Sequence, residues 1–156
     1  MKRIFIFTIL LGALTIFSCK KGSTGCQDVD IAVEQPTIIS YGTSNSLTLT
    51  RHPTGVFYEI INPGAGVSPT SSSKVFIKYI GKLLNGTTFD QQTNAALTGW
   101  FLRDLIPGWQ VGLPLISKGG KIKLVIPSAY AYGCNGVGSI PANSILYFDI
   151  DLVDVQ

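Results

Sequence analysis

Histidine occurs once in these 156 residues, methionine once and cysteine three times, and only 13% of the residues are charged. Each scarcity removes a class of protein. With one His and no C-x-x-C there is no ligand set for a zinc site and no thioredoxin-like redox centre. Low charge and 17 Gly exclude long disorder, a collagen-like repeat and a charged coiled coil. Three cysteines are too few for a disulfide scaffold. Four of the 12 Lys+Arg (Lys2, Arg3, Lys20 and Lys21) lie in the first 21 residues, which leaves eight against 9 Asp+Glu. The body is therefore near neutral, and no basic surface for nucleic acid is foreseen.

What is present begins with an address. Met1-Lys2-Arg3 precedes an uncharged run from Ile4 to Phe17, then Ser18-Cys19 and a polar stretch. A positive start, a short apolar run and a small residue before a Cys make an export signal too short to span a bilayer comfortably. Ile16-Phe17-Ser18-Cys19 resembles a lipobox, although Phe17 is bulkier than the residue usual at its place. Residues 1–18 are accordingly expected to be a lipoprotein signal peptide. Cys19 is then the expected lipidation site and membrane attachment point, and residues 19–52 are expected to be a polar tether with at most a small docked element, such as a short edge segment over Glu34–Tyr41. This places the chain in the cell envelope, lipid-anchored, most simply at the outer membrane and facing the periplasm or the surface. Cys26 and Cys134 are left as two thiols that an exported chain could pair; free or adventitiously paired thiols are preferred to a functional pair.

Beyond the tether the pattern is that of strands. Val56–Ile61, Lys74–Ile80, Lys121–Ile126 and Ile145–Val153 are rich in β-branched and aromatic residues, and three of them alternate side chains. Asn85-Gly86 between Leu83-Leu84 and Thr87-Thr88-Phe89 predicts a two-residue type I′ hairpin, with positive φ at both turn positions. Pro107–Ile116 is the one helical candidate in this region: Pro107 suits a first helical position, and Pro114 keeps the helix short. The expected fold class is α+β, a curved antiparallel β-sheet of about five strands wrapped around one short α-helix, over residues 53–156.

Catalytic kits based on acids, bases or nucleophiles fail in turn. Gly64-Ala65-Gly66 is followed by Ser68-Pro69 where a dinucleotide-binding helix should open. His52 stands beside Pro53 in the tether, and Asp149, Asp151 and Asp154 read as a solvated strand face. The sequon at Asn85 coincides with the hairpin turn. Aromatic density near turns stands out instead: Tyr79, Phe89, Trp100, Trp109, Tyr130, Tyr132, Tyr147 and Phe148 are half of the 16 aromatics.

Tyr79-Ile80-Gly81, Gly86 with Phe89-Asp90, Leu105-Ile106-Pro107-Gly108-Trp109, Gly119-Gly120-Lys121, Ile126-Pro127, Ala129-Tyr130-Ala131-Tyr132-Gly133, Ile140-Pro141 and Phe148-Asp149 follow one another in a telling order. In order and spacing this resembles the FKBP-type peptidyl-prolyl cis-trans isomerases, over about Pro53 to Gln156. The start of the chain is similar to anchored members of that family from Gram-negative bacteria. The resemblance implies a proline pocket between helix and sheet. Trp109 would be its floor, Tyr79, Phe89, Ile106 and Phe148 its walls, and Leu105 would lie beside them. Asp90 would orient the tyrosines and face the bound carbonyl, with the Tyr132 hydroxyl and the backbone N–H of Ile140 as donors to the ligand. It further implies catalysis through Asp90, Trp109, Tyr132 and Phe148, with no cofactor and no metal. Proline-containing polypeptides would be the partners, macrolide inhibitors of the FKBP class are compatible ligands, and a monomer is expected. Thr98 falls near one pocket edge, and Trp100 replaces a Phe further along. A binding or chaperone module on the same scaffold, with little turnover, is the alternative reading.

Overall fold

The computed structural model describes residues 25–156. The expected signal peptide and the expected lipidation site at Cys19 lie outside the described residues. Seven strands form one antiparallel sheet: β1 (Thr50–Arg51), β2 (Phe57–Asn62), β3 (Lys74–Leu83), β4 (Thr88–Gln92), β5 (Trp100–Phe101), β6 (Lys121–Ile126) and β7 (Leu146–Val155). Their order is β1-β2-β6-β7-β3-β4, and β5 pairs with the start of β3 beyond the reach of β4. The long central strands carry the predicted alternation. Val75, Ile77 and Tyr79 of β3 and Leu146, Phe148, Ile150 and Leu152 of β7 face one core. The four strands legible in the sequence are all present; β1 and β5, two residues each, are too short to carry a periodic signal.

Helix α2 (Pro107–Gly112) packs in the curve of the sheet, with Pro107 in its first turn, and a 3₁₀ turn over Leu113–Leu115 absorbs Pro114. Both prolines act as expected: the first sits where an N–H has no partner anyway, and the second ends the α-helical ladder.

Three expectations are corrected. Residues 19–52 are not a tether throughout, because Ile31–Ser44 forms a 14-residue helix, α1. Asp30 caps it by accepting from the Ala32 N–H at 2.8 Å. Pro36, inside the helix, and the Ser and Thr residues around it obscure the pattern, yet Glu34, Ile38 and Gly42 fall at i, i+4, i+8 on one buried face. Ile38 packs on Phe57 and Val125 on the side of the sheet opposite α2, with Tyr41 and Tyr147 beside it. The fold thus has a second helix.

The hairpin at Asn85-Gly86 is not type I′, since only Gly86 has positive φ (90°). The Gly86 N–H donates to the Leu83 carbonyl and the Leu83 N–H to the Thr87 carbonyl, each at 2.9 Å. The loop is therefore Leu84-Asn85-Gly86, a three-residue hairpin in which the glycine takes the left-handed position. Finally, Cys26 and Cys134 are joined in a disulfide with Cα atoms 5.5 Å apart. At a sequence separation of 108, the pair is created by tertiary structure alone.

Candidate functional site

A cavity of about 540 Å³ opens between α2 and the sheet. Its aromatic residues come from separate elements: Tyr79 from β3, Phe89 from β4, Trp100 and Phe101 from β5, Trp109 from the first turn of α2, and Phe148 from β7. Tyr132, in the loop after β6, completes the wall, and Leu105 and Ile106 enter from the segment leading into α2.

The rings meet edge to face. Trp109 and Phe148 have centroids 5.0 Å apart at 80°, Tyr79 and Trp109 5.0 Å at 77°, and Phe89 and Phe148 5.6 Å at 88°. T-shaped contacts place positive ring edges against negative faces and add roughly 0.5–1.5 kcal/mol per pair beyond area burial. They also lock the rings, so the cavity is pre-formed. Gly81 makes this possible at the sheet. A Cβ there would stand 2.7 Å from Phe89 Cζ and 2.8 Å from Phe148 Cε1, so any side chain would push the two rings off β3.

One polar contact is built into the wall. The Tyr79 hydroxyl donates to Asp90 Oδ2 at 2.6 Å, a short charge-assisted bond. Burial, and then the Asp90 hydrogen bond and charge, hold the Tyr79 phenol far above its ordinary value. Tyr132 is raised too, by burial first and by the Asp90 charge second. Both phenols stay protonated at physiological pH and so remain hydrogen-bond donors.

Eight of the nine residues singled out from the sequence line this cavity: Tyr79, Phe89, Asp90, Leu105, Ile106, Trp109, Tyr132 and Phe148. Ile140 does not. It is buried in the adjoining core, and its N–H already donates to the Val137 carbonyl at 2.8 Å, so it has no donor to offer. The N–H of Ile106 suits that role better, since this residue lines the cavity and its N–H has no partner among the described residues. Thr98 is also not a pocket residue. Its hydroxyl accepts from the Ile77 N–H at 2.9 Å and donates to the Ala95 carbonyl at 2.7 Å, bracing the turn beneath β3. Phe101, Lys74 and Asp104 on the rim went unnoticed in the sequence, because the two-residue strand β5 that assembles this rim carries no pattern.

The groups set aside in the sequence are accounted for. His52 Nδ1 lies 2.9 Å from Thr54 Oγ1 in the turn between β1 and β2, and does not line the cavity. Asp149 and Asp151 flank Lys121 Nζ at 3.0 and 3.5 Å, and Asp154 meets Lys118 Nζ at 2.6 Å. Among the described residues no cluster of His, Cys, Asp or Glu could hold a metal ion, and no helix is long and apolar enough to cross a membrane.

Residues 66–153 match the sequence model of the FKBP-type peptidyl-prolyl cis-trans isomerases. The chain is similar to the isomerase FkpA of Escherichia coli strain K12, with 46% identity over 104 residues covering 66% of this chain and 38% of FkpA. It is also similar to FK506-binding protein 4 of Dictyostelium discoideum, with 45% identity over 113 residues covering 71% of this chain and 30% of that one. Among solved structures, FkpA from Escherichia coli superposes with a TM-score of 0.69 and 38% identity, covering 81% of this chain and 61% of the other. A peptidyl-prolyl isomerase from Pseudomonas syringae pv. tomato does so with a TM-score of 0.67 and 30% identity, covering 83% and 98%. The aligned part spans well under half the length of the relatives matched by sequence, 38% in the case of FkpA. With the family sequence matched over most of the folded region, and its aromatic cavity assembled here from six segments of the chain, this protein belongs to the FKBP-type peptidyl-prolyl cis-trans isomerase family.

Proposed function

We propose that this protein is a peptidyl-prolyl cis-trans isomerase that acts on exported polypeptides from a lipid anchor at Cys19. The observation that carries the catalytic half is the box of T-shaped rings around Trp109, with one carboxylate bonded to a tyrosine at its edge. Such a site has little to offer acid–base chemistry and much to offer a prolyl ring.

Rotation about an X-Pro amide is slow because resonance must be lost, at a barrier of about 20 kcal/mol. No covalent bond forms or breaks, so no nucleophile is required. The planar amide is the more dipolar form and is well solvated by water; the twisted form is less dipolar. Seating the prolyl ring over Trp109, between Tyr79, Phe89 and Phe148, withdraws water from the amide and so disfavours the planar form more than the twisted one. The Tyr132 hydroxyl and the Ile106 N–H hold the flanking carbonyls while the amide turns. Asp90, held by Tyr79, fixes the wall the carbonyl passes. Stabilising the twisted state beyond the ground state is catalysis by differential binding. The same cavity would accept macrolides of the FKBP-inhibitor class.

The envelope half rests on the charged and apolar start of the chain, on the lipobox-like Ser18-Cys19, and on the Cys26–Cys134 disulfide, which suits an oxidising compartment. A protease-free assay on a short X-Pro peptide tests the catalysis: acceleration above the thermal rate is expected, and none from a folded protein would refute it. For the anchor, Cys19→Ala is expected to shift the protein from the membrane to the soluble fraction, and continued membrane retention would contradict it.

A further inference from the structure

The two tyrosines of the cavity are held very differently. Tyr79 is fixed by Asp90, whereas the hydroxyl of Tyr132, with the residue 36% exposed, has no hydrogen-bond partner among the described residues. Its aim depends on the backbone that carries it. That backbone is the loop after β6, two 3₁₀ turns over Ser128–Tyr130 and Gly133–Asn135 with Tyr132 between them.

The loop is gripped on both sides of Tyr132 by one segment of chain. Upstream, the Ser128 N–H donates to Glu34 Oε2 at 2.8 Å, and Glu34 is buried. Downstream, the Cys134 N–H donates to Asp28 Oδ1 at 2.8 Å, and Cys134 is bonded covalently to Cys26. Two charge-assisted hydrogen bonds and a disulfide therefore converge on seven residues of loop, all from residues 26–34, ahead of the family-matched region at 66–153. The first turn of α1 supplies Glu34, and the docking of Ile38 one turn later keeps that carboxylate in register with Ser128.

We propose that Cys26–Glu34 is a positioning clamp for Tyr132: the disulfide and the Asp28 and Glu34 carboxylates hold the loop so that its hydroxyl is in place as the prolyl amide twists. This rests on the isomerase reading and extends it to residues outside the pocket. Because Cys26 is exposed, the clamp opens to a small dithiol. Dithiothreitol transfers two electrons and two protons, leaving two cysteine thiols and a cyclic disulfide.

The test is a double-mutant cycle on kcat and KM with the full chain. Reduction of the wild type, or Cys26→Ser with Cys134→Ser, is expected to lower kcat by about three- to tenfold, the worth of one misplaced hydrogen bond, with KM little changed. In a Tyr132→Phe background the same change is expected to cost nothing further. Additive losses, or undiminished kcat in the reduced protein, would overturn the clamp. Asp28→Ala leaves the disulfide intact and serves if the serine variants do not fold; it is expected to lower kcat in the same direction, again only when Tyr132 is present. Amide hydrogen exchange supplies an arm independent of turnover. Reduction is expected to speed exchange at residues 129–135 while β3 and β7 stay protected; equal protection before and after would refute the clamp. If the untreated protein shows no turnover, the isomerase reading fails, and the exchange arm alone decides whether the loop is clamped.

Discussion

The two sides of the sheet are built on opposite principles. On the side of α2 the aromatic rings stop short of filling the space: Trp109 is 5% exposed and Tyr79 7%, yet they border a cavity of about 540 Å³. On the side of α1 the packing closes around Ile38: Ile38 and Val125 are fully buried, and Phe57 nearly so. Burial alone therefore does not mark the functional side. What marks it is rigid surface left without a partner, held open by ring-on-ring contacts rather than by a close-packed core. The side of α1 contributes stability, and through residues 26–34 the placement of one loop.

Substitutions on the two sides can break this contrast or sharpen it. Trp109→Ala removes the floor and is expected to destabilise the fold by about 3–5 kcal/mol and to abolish measurable turnover in the fraction that remains folded. Ile38→Ala, on the other side, is expected to cost about 2–5 kcal/mol in urea unfolding while lowering kcat/KM per folded molecule by no more than the few-fold of a loosened Tyr132 loop, since the cavity residues themselves are untouched. A fall in kcat/KM comparable to that of Trp109→Ala would erase the distinction. Tyr79→Phe deletes a charge-assisted bond of 2.6 Å and leaves Asp90 without that donor. It is expected to lower both stability, by about 1.5–3 kcal/mol, and activity, each by less than Trp109→Ala does. Tyr132→Phe is the mildest: stability within about 0.5 kcal/mol of the parent, and kcat/KM about three- to tenfold lower by the peptide assay.

The site was legible in the sequence where it is carried by short-range order. Trp109 two residues after Pro107, Asp90 directly after Phe89, and Tyr132 between Ala131 and Gly133 stand in short motifs that carry the family resemblance, and the structure sets them at a helix start, on β4 and in the loop after β6. Backbone and disulfide pairing was not legible, whether near or far in sequence. Whether the Ile140 N–H is free depends on the Val137 carbonyl opposite it, and residue identity says nothing about that bond. The pairing of Cys26 with Cys134, 108 residues away, is equally invisible before the fold exists. Helix α1 was hidden for a different reason: its buried face is made of Glu34, Ile38 and Gly42, only one of them a large apolar residue, and Pro36 interrupts the stretch. A buried Glu becomes intelligible only once the Ser128 N–H stands at 2.8 Å from it.

The proposed mechanism turns the amide with a dry aromatic box and fixed donors, and with no proton transfer. The direct measurement is kcat/KM on an X-Pro peptide from about pH 6 to about pH 9, in water and in heavy water. The Tyr79 and Tyr132 phenols are both raised above the ordinary value of 10.0, so their donor forms persist throughout this range and are lost only as pH climbs beyond it; His52 does not line the cavity. The expected result is a flat profile with a solvent isotope effect close to one. A bell-shaped profile, or a large isotope effect, would show a proton in flight and contradict the mechanism.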